Sequence, residues 1–327
     1  MQAQWSRRGF LGMAAAAGLV IGATRTGNTT ASAAPNSGGV TVTHAFGTTF
    51  VPAPPKRVVS AGFTEQDDLL ALGVVPIATT EWWGNEPYAV WPWARAKLGA
   101  ARPTVLSLTN GIEVDRIAAL KPDLIVATNA GVDDATYQQL SAIAPTIPQS
   151  GPAPFFEPWK DQANTIAQAV FQVQAMASLI ANVDAKFTGV AKSYPQFQGK
   201  KILSLQGSTY WENSAIAARP SWKTEWLSQM GFVIPGEIDA FGRVNDDRAY
   251  IPLDQIGPVL GSADVLLWRT ESDADRDALL GNPAIAAFRN RNVFTSKEQA
   301  GAIAFTSPLS FPLVADQLPP MLAKALA

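Results

Sequence analysis

Apolar and polar positions alternate along the chain with two different periods. Arg57–Ala61 is a short apolar run that predicts a strand, and the residues from Thr64 to Gly73 have helical periodicity. Thr64 and Asp67 have the spacing of a capping box, and Gly73 is placed to end the helix. Strands and helices then follow one another in the same order, which predicts a parallel sheet with helices on both faces.

One longer pattern occurs in both halves of the chain. Its two copies are Ile112–Gly131, IEVDRIAALKPDLIVATNAG, and Ile251–Ser272, IPLDQIGPVLGSADVLLWRTES. Each copy contains an acid, an apolar run of helical period, and then an Asp that leads directly into a buried-type strand. The second half therefore repeats the order of the first. The sequence predicts the α/β class, with two lobes that are each a parallel-sheet α/β sandwich.

The segment 158–194 differs from the rest because no Gly or Pro interrupts its helical pattern between Pro158 and Gly189. Its apolar positions keep a helical spacing at Ile166, Val170, Val173, Ala177, Ile180 and Phe187. A helix of about 30 residues would be about 45 Å long, which is more than one lobe requires. We therefore predict a first lobe over 34–157, one bridging helix over 158–194, and a second lobe over 195–327, with a cleft between the lobes.

The first residues have the form of an export signal. Arg7 and Arg8 precede a weakly apolar stretch that ends near Ala23, and Ala31-Ser32-Ala33 is a typical cleavage site. Residues 1–33 thus resemble a twin-arginine signal peptide. The apolar stretch of roughly 14 residues is shorter than the ~20 that span a bilayer. Because the chain has no cysteine, we expect no disulfide and no lipid anchor, and a soluble protein in the periplasm or cell envelope after cleavage.

Composition and charge disfavour several other classes. A formal net charge of −2 argues against a nucleic-acid binder, which needs a basic face. His44 is the one histidine, so without cysteine no nitrogen- and sulfur-rich metal site is expected. An exported hydrolase is also disfavoured, because there is no G-x-S-x-G motif and only one imidazole base. A Ser/Lys catalytic site stays open as an alternative.

Four segments together resemble a known family. PPKRVVSAG, IAALKPDLIVA, the long middle helix and NPAIAAFRNRNVF are similar to the substrate-binding proteins of bacterial ABC importers. The subgroup has a single bridging helix and carries ferric siderophores, haem or cobalamin. The resemblance extends from about Thr41 to the C-terminus. It implies a monomeric, non-enzymatic protein that captures a ferric siderophore or haem in the cleft and delivers it to a membrane permease.

The resemblance also assigns a role to the repeated acid. Each lobe of such proteins presents an acid near the start of a helix, which meets a basic pocket of the permease. The matching positions are Asp115 and Asp254. The family usually has Glu at these places, so the shorter Asp changes the docking geometry. The alternative is that both acids stabilise the positive N-termini of helices.

The cleft is expected beyond the C-terminal ends of the parallel strands, where ligands bind in open α/β sheets. Trp82, Trp83 and Tyr88 follow a first-lobe strand and are candidates for an aromatic wall around a large, flat or partly apolar ligand. Trp91 and Trp93 are interpreted as packing residues. Phe63 and Asn129, beyond other first-lobe strands, are weaker candidates.

The second lobe supplies the opposite wall. By resemblance to the family, its pocket loops carry Tyr210, Trp211, Phe241, Arg243, Arg269 and Phe305. Arg243 and Arg269 would neutralise an anionic ferric chelate or a haem propionate, unless they are ordinary exposed arginines. Tyr88 or Tyr210 would be the oxygen ligand of haem iron. A cell-envelope scaffold protein that kept the binding fold is the remaining alternative function.

Overall fold

The fold was analysed in a computed structural model that describes residues 38–209 and 213–327. The predicted signal peptide and two predicted site residues, Tyr210 and Trp211, lie outside the described residues. Within the described ranges, no helix is both long enough and apolar enough to cross a membrane.

Strands and helices alternate along both halves of the chain. The strands are β1 Val40–His44, β2 Gly47–Val51, β3 Val58–Ser60, β4 Ala78–Glu81, β5 Thr104–Ser107, β6 Leu124–Ala127, β7 Thr146–Pro148, β8 Ile202–Gln206, β9 Ser214–Ala218, β10 Arg248–Pro252, β11 Val265–Arg269 and β12 Asn292–Phe294. The α-helices are α1 Glu65–Ala71, α2 Pro92–Arg95, α3 Val114–Ala119, α4 Asp134–Ser141, α5 Trp159–Ala169, α6 Val173–Ser193, α7 Glu225–Gln229, α8 Ile256–Gly261, α9 Asp273–Leu280, α10 Pro283–Ala286, α11 Lys297–Phe305 and α12 Ser310–Ala325. Short 3-10 turns are at Pro87–Ala89, Ala96–Leu98, Pro195–Phe197, Trp222–Thr224 and Gly236–Phe241.

The first lobe contains a fully parallel sheet. Its strand order is β5-β4-β3-β6-β7, and every neighbouring pair is parallel. The antiparallel hairpin of β1 and β2 lies against this lobe, where the Thr49 hydroxyl donates to the carbonyl of Thr146 over 2.8 Å. The predicted α/β class is therefore confirmed, and all carboxyl strand ends of this sheet meet at one edge.

The second lobe contains a mixed sheet with the order β10-β9-β8-β11-β12. β8, β11 and β12 are parallel, whereas β9 runs antiparallel to both β8 and β10. The prediction of an entirely parallel second sheet is thus wrong for β9. Residues 207–213, which connect β8 to β9, are too few for the crossover of a dozen or more residues that a parallel pair needs.

The predicted bridging helix is two helices rather than one. α5 ends at Ala169 and α6 begins at Val173, with Phe171 between them in the left-handed region at φ 63°. The amide of Gln172 donates to the carbonyl of Ala167 and closes the turn. Continuous helical spacing conceals this break because both helices turn their apolar faces to one shared core, and Phe171 itself packs against that core.

This shared core joins the lobes. One cluster of buried side chains extends from Leu124 in the first sheet, through Ile166 of α5 and Phe187 of α6, to Val265 in the second sheet. Phe311 of α12 completes it by packing edge-on against the rings of Trp159 and Phe187. The α5–α6 bridge is therefore embedded in apolar packing, which opposes relative movement of the lobes.

The start of α1 corrects a local prediction. Gly73 ends the helix as expected, with a left-handed φ of 75°. The capping box is wrong, because the side chain of Thr64 makes no cap hydrogen bond. Asp67 accepts hydrogen bonds from Trp93 and Ser307 instead, so tertiary contacts override the local cap.

The repeated Asp has the same structural role in each lobe. Asp123, directly before β6, accepts the amides of Lys56 and Arg57 over 2.8 and 2.7 Å at the entry to β3. Asp264, directly before β11, accepts the amide of Lys201 over 2.8 Å at the entry to β8. Each carboxylate thus joins the starts of two central, parallel strands.

Asp123→Ala and Asp264→Ala are predicted to lower the free energy of unfolding by about 1–2 kcal/mol each, because strand-entry amides lose a charged acceptor. Urea denaturation measures the change. The exposed Asp254, changed to Ala, is the control and should stay within about 0.5 kcal/mol of the wild type. Equal stability of all three variants would contradict the proposed role of the repeat.

Candidate ligand-binding cleft

A cavity of about 290 Å³ lies between the lobes. Residues at the carboxyl ends of strands from both sheets line it. Trp82 directly follows β4, Gln206 ends β8, and Arg269 ends β11. The cavity is therefore where the parallel topology predicts a ligand site. Its lining is Trp82, Trp83, Phe156, Ser204, Gln206, Ile216, Ala218, Trp222, Lys223, Thr224, Asp247, Arg248, Arg269, Glu271, Ala300, Ile303, Ala304 and Thr306.

Aromatic rings form the first-lobe wall. The ring of Trp82 contacts those of Phe63, Phe156 and Phe305 at centroid distances of 5.7, 5.0 and 5.6 Å. Trp83 stands perpendicular to Trp82 at 6.1 Å. Because each ring is supported by others, this wall presents a broad apolar face of defined shape.

Two neighbouring tryptophans support this wall from inside the protein. Trp91 is 1% exposed and stacks on Trp93 with 4.9 Å between ring centroids. Their predicted packing role is confirmed. Trp91 also meets Trp83 edge-on at 4.9 Å, so the buried pair supports a cavity-lining ring directly.

The second-lobe wall carries most of the charge. Three cations, Lys223, Arg248 and Arg269, line the cavity together with the two carboxylates Asp247 and Glu271. Asp247 is already engaged, because its oxygens lie 2.7 Å from Lys223 Nζ and 3.8 Å from Arg248 Nε. The cavity therefore has one more cation than anion.

Arg269 is the cation that has a nitrogen without a hydrogen-bond partner. Its Nε is buried and has no hydrogen-bond partner among the described residues. Burial lowers the pKa of its guanidinium, and the neighbouring charge of Arg248 lowers it further. A buried N–H donor that lacks an acceptor costs free energy. An anionic ligand group in the cavity would supply this missing partner.

Several predicted site residues do not line the cavity. Tyr88 packs within the first lobe, with Arg102 5.4 Å above its ring. Phe241 packs against the second-lobe core, and the guanidinium of Arg243 lies 3.9 Å from the ring centre of Tyr250. Phe305 is 3% exposed and lies behind Trp82. These side chains pack against neighbouring residues instead, and their position in the sequence alone does not reveal this packing.

The two weaker candidates support the wall. Phe63 stacks on Trp82, as described above, and on Phe155 at 5.6 Å. Asn129 is buried, donates to Thr64 Oγ1 over 3.0 Å, and accepts the amide of Phe156 over 2.9 Å. Asn129 therefore holds the loop that brings Phe156 to the cavity.

Sequence analysis missed several lining residues, chiefly Phe156, Trp222, Lys223 and Arg248. Phe156 follows β7 in a Gly- and Pro-rich loop, so its position after a parallel strand was an available signal. The others follow β9 or begin β10. Their positions depend on β9 and β10, and the antiparallel direction of β9 was not predicted from the sequence pattern.

A group of buried acids on α1 lies behind the first-lobe wall. Glu65, Asp67 and Asp68 are each at most 1% exposed. Burial raises the pKa of Glu65 to about 7 and that of Asp67 to about 6. Asp67 accepts hydrogen bonds from Trp93 Nε1 over 2.8 Å and from Ser307 Oγ over 2.6 Å. This carboxyl therefore connects the lobes, since Ser307 belongs to the second.

The described residues contain no group of three or more His, Cys, Asp or Glu positioned to hold a metal. His44 Nε2 instead lies 2.9 Å from Thr49 Oγ1 and 3.3 Å from Tyr137 Oη. The single histidine thus helps to join the β1–β2 hairpin to the first lobe.

The two predicted docking acids are both exposed. Asp115 lies in the first turn of α3, and Asp254 lies just before α8. Neither helix has a side-chain hydrogen bond from its N-cap residue. Both acids are therefore accessible to a partner.

Comparison with known proteins gives the family. Residues 58–300 match the model of the periplasmic binding protein family, which is well over half of the chain. The chain belongs to this family. Members of the periplasmic binding protein family bind substrates and are not enzymes, which agrees with the prediction against a hydrolase.

Individual proteins that are similar to this periplasmic binding protein are consistent with the family assignment. A periplasmic solute binding protein of Mycobacterium smegmatis is 57% identical, with a TM-score of 0.84, over 89% of this chain and 100% of that one. The probable siderophore-binding lipoprotein YfiY of Bacillus subtilis is 30% identical over 64% of this chain, and the match spans 62% of its length. PiaA of Streptococcus pneumoniae, solved with ferrichrome, shares the fold at 22% identity and a TM-score of 0.71, over 88% of this chain and 98% of that one.

The raised pKa values predict how stability depends on pH. The pKa of Glu65 is 4.5 in the unfolded chain and about 7 in the folded protein, and that of Asp67 is 3.8 and about 6. Between these values the folded protein holds protons that the unfolded chain has released. Their contribution to stability is therefore fully present below about pH 4, falls as the pH rises, and is lost once the pH exceeds about 6 for Asp67 and about 7 for Glu65.

Asp67→Asn is the test. At pH 8 the variant is expected to be more stable than the wild type by up to about 3 kcal/mol, with a smaller difference at pH 5. Thermal or urea denaturation at both pH values measures this. Asp254→Asn, at an exposed acid, is the control for surface charge. If the stability difference between Asp67→Asn and the wild type is the same at pH 8 and at pH 5, the prediction is contradicted.

Proposed function

We propose that this periplasmic binding protein captures an anionic ferric siderophore between its lobes, as a monomer, and delivers it to an ABC permease for iron uptake. The observation that carries the proposal is the buried, unpartnered Nε of Arg269 in a cavity walled by aromatic rings. An anionic chelate supplies the missing acceptor, and its organic surface packs against the rings.

The comparisons support a ferric siderophore, without indicating its charge. A relative is named as siderophore-binding, and a protein with the same fold was solved with ferrichrome. The excess of one cation in the cavity lining favours ligands with negative charge. Iron would enter inside its chelator, so the protein needs no metal ligands of its own.

Haem is the alternative ligand from the same family. The protein would have to supply an axial oxygen donor for its iron. Tyr88, one of the two predicted donors, packs away from the cavity. The other, Tyr210, lies outside the described residues. Among the residues that the structure describes, no predicted axial donor lines the cavity, which favours a siderophore because its iron is already coordinated. Haem and cobalamin binding, or a scaffold protein that binds none of these, are the other outcomes of a ligand titration.

Titration of the protein with ferrichrome, ferric enterobactin, ferric citrate, haem and cobalamin tests the ligand. We expect at least one ferric siderophore to quench tryptophan fluorescence with micromolar or tighter affinity, because Trp82, Trp83 and Trp222 line the cavity. Trp82→Ala with Trp83→Ala should weaken binding by ~1–3 kcal/mol. Arg269→Gln should weaken it as well, whereas Arg243→Gln, outside the lining, should not.

Salt provides a further control for the same titration. The loss caused by Arg269→Gln should be smaller at high ionic strength, since salt screens the charge of a ligand. No quenching by any ferric chelate, haem or cobalamin would contradict the import function and favour the scaffold alternative. Equal losses for Arg269→Gln and Arg243→Gln would contradict the role of Arg269.

We further propose that Asp115 and Asp254 dock the two lobes onto the permease. Both acids are exposed and occur at equivalent places in the repeated pattern. Two matching acids suit a permease with two similar halves. Neither acid lines the cavity, so this role is separate from ligand binding.

Asp115→Ala combined with Asp254→Ala is predicted to leave siderophore affinity unchanged and to reduce uptake of iron-labelled siderophore by cells. Asp134→Ala, another acid in a first helical turn, is the matched control. If the double variant instead transports normally but loses roughly 1 kcal/mol of stability per site, the acids act on their helices rather than on a permease.

For localisation, we propose export through the twin-arginine route, followed by cleavage after Ala33. The Bacillus subtilis relative is named a lipoprotein, whereas this sequence has no cysteine to carry a lipid. Arg7→Lys with Arg8→Lys should therefore keep uncleaved protein in the cytoplasm, as measured by cell fractionation and intact mass. Normal export of this variant would contradict the proposed route.

A further inference from the structure

Helix α11 has two adjacent stripes with different neighbours. Ala300, Ile303 and Ala304 line the cavity. Lys297, Gly301 and Phe305, at intervals of four residues, contact the first lobe. Residues four apart share a helix face, so one rigid helix of the second lobe both forms the cavity and holds part of the opposite lobe.

The first-lobe part that it holds is the segment 82–93, which we term the aromatic loop. A Cβ placed on Gly301 would lie 2.6 Å from the ring of Trp91, closer than side-chain atoms pack. The Trp91 ring meets Trp83 edge-on, and the Phe305 ring meets Trp82 at 5.6 Å. The stripe of Lys297, Gly301 and Phe305 thus contacts Trp82 directly and Trp83 through Trp91.

Polar contacts add to this packing. Lys297 Nζ lies 3.0 Å from Glu86 Oε1, donates to the carbonyl of Gly84, and lies 5.5 Å from the centre of the Trp91 ring. Glu86 is anchored in turn by Arg95 at 2.6 Å. The start of α11 is therefore fastened to the middle of the aromatic loop.

The aromatic loop depends on such contacts because its backbone is strained. Asn85, Tyr88 and Ala89 have φ values of 52°, 60° and 53°, and Gly84 has 94°. Non-glycine residues in the left-handed region persist only where the surrounding structure holds them. Without its anchors, the loop would relax toward other conformations and carry Trp82 and Trp83 with it.

We propose that Gly301 and Lys297, neither of which lines the cavity, are positioning residues that set the orientation of Trp82 and Trp83 and thereby the affinity for the ligand. This rests on the proposed siderophore function. The second lobe would then control ligand binding by the first through one helix.

Gly301→Ala tests the proposal, with Gly189→Ala in α6 as the matched control, where a Cβ meets no atom within 4 Å. Both changes favour a helix intrinsically. We expect Gly301→Ala to bind the tightest ferric siderophore of the panel roughly tenfold more weakly, on the scale of overpacking, and Gly189→Ala to bind it normally. Adding Trp91→Phe should restore part of the affinity by making room for the methyl group.

Two readouts separate positioning from a general loss of packing. In a Trp82→Ala, Trp83→Ala background, Gly301→Ala should have little further effect on affinity; a full tenfold loss there would overturn the proposal. In ligand-free protein labelled with fluorotryptophan, the ¹⁹F resonances of Trp82 and Trp83 should shift in Gly301→Ala and in Lys297→Met but not in Gly189→Ala. Unchanged resonances would overturn the proposal even if no chelate binds and the siderophore function fails.

Discussion

The apolar core that runs through both lobes is the constraint on which the rest of the structure depends. Because Leu124, Ile166, Phe187 and Val265 belong to one buried cluster, the two sheets cannot separate without exposing it to water. The break at Phe171 redirects the bridge while both of its helices remain in the core. A cleft between lobes joined in this way is largely formed before a ligand arrives.

A preformed cleft gives electrostatics a decisive role. Arg269 ends β11 and lines the cavity half-buried, and its Nε is buried without a hydrogen-bond partner among the described residues. Asp247 lies beside Lys223 and Arg248, and its charge only partly offsets the lowering of the Arg269 pKa by burial and by Arg248. The aromatic wall supplies contact area, and Arg269 supplies the preference for an anion.

The fold was largely predictable from the sequence, whereas half of the site was not. Alternating apolar periods identified the strands, and Trp82, Trp83 and Arg269 reach the cavity because each comes at or just after the end of a strand. Three other predicted residues do not reach the cavity, because Tyr88 and Phe241 pack against the cores of their lobes and Arg243 packs against the ring of Tyr250. Trp222, Lys223 and Arg248 were missed because they lie after β9 or at the start of β10, in the part of the second sheet whose mixed topology is not revealed by periodicity.

The buried acids and α11 show a second limit of sequence patterns. Asp67 was assigned to a local cap by its spacing, yet it bonds to Ser307, 240 positions away. Gly301 has no distinguishing local context, and only the ring of Trp91 explains why a side chain does not fit there. Contacts between the lobes determine both residues, and short-range spacing contains no information about them.

An anionic chelate is proposed to supply the hydrogen-bond acceptor that Arg269 Nε lacks. A crystal structure of the protein with the tightest-binding ferric siderophore of the panel tests it most directly. We predict a chelate oxygen within hydrogen-bond distance of Arg269 Nε and organic ligand atoms against Trp82 and Trp83. A siderophore bound elsewhere, or bound in the cleft with Arg269 Nε still unpartnered, would contradict the account.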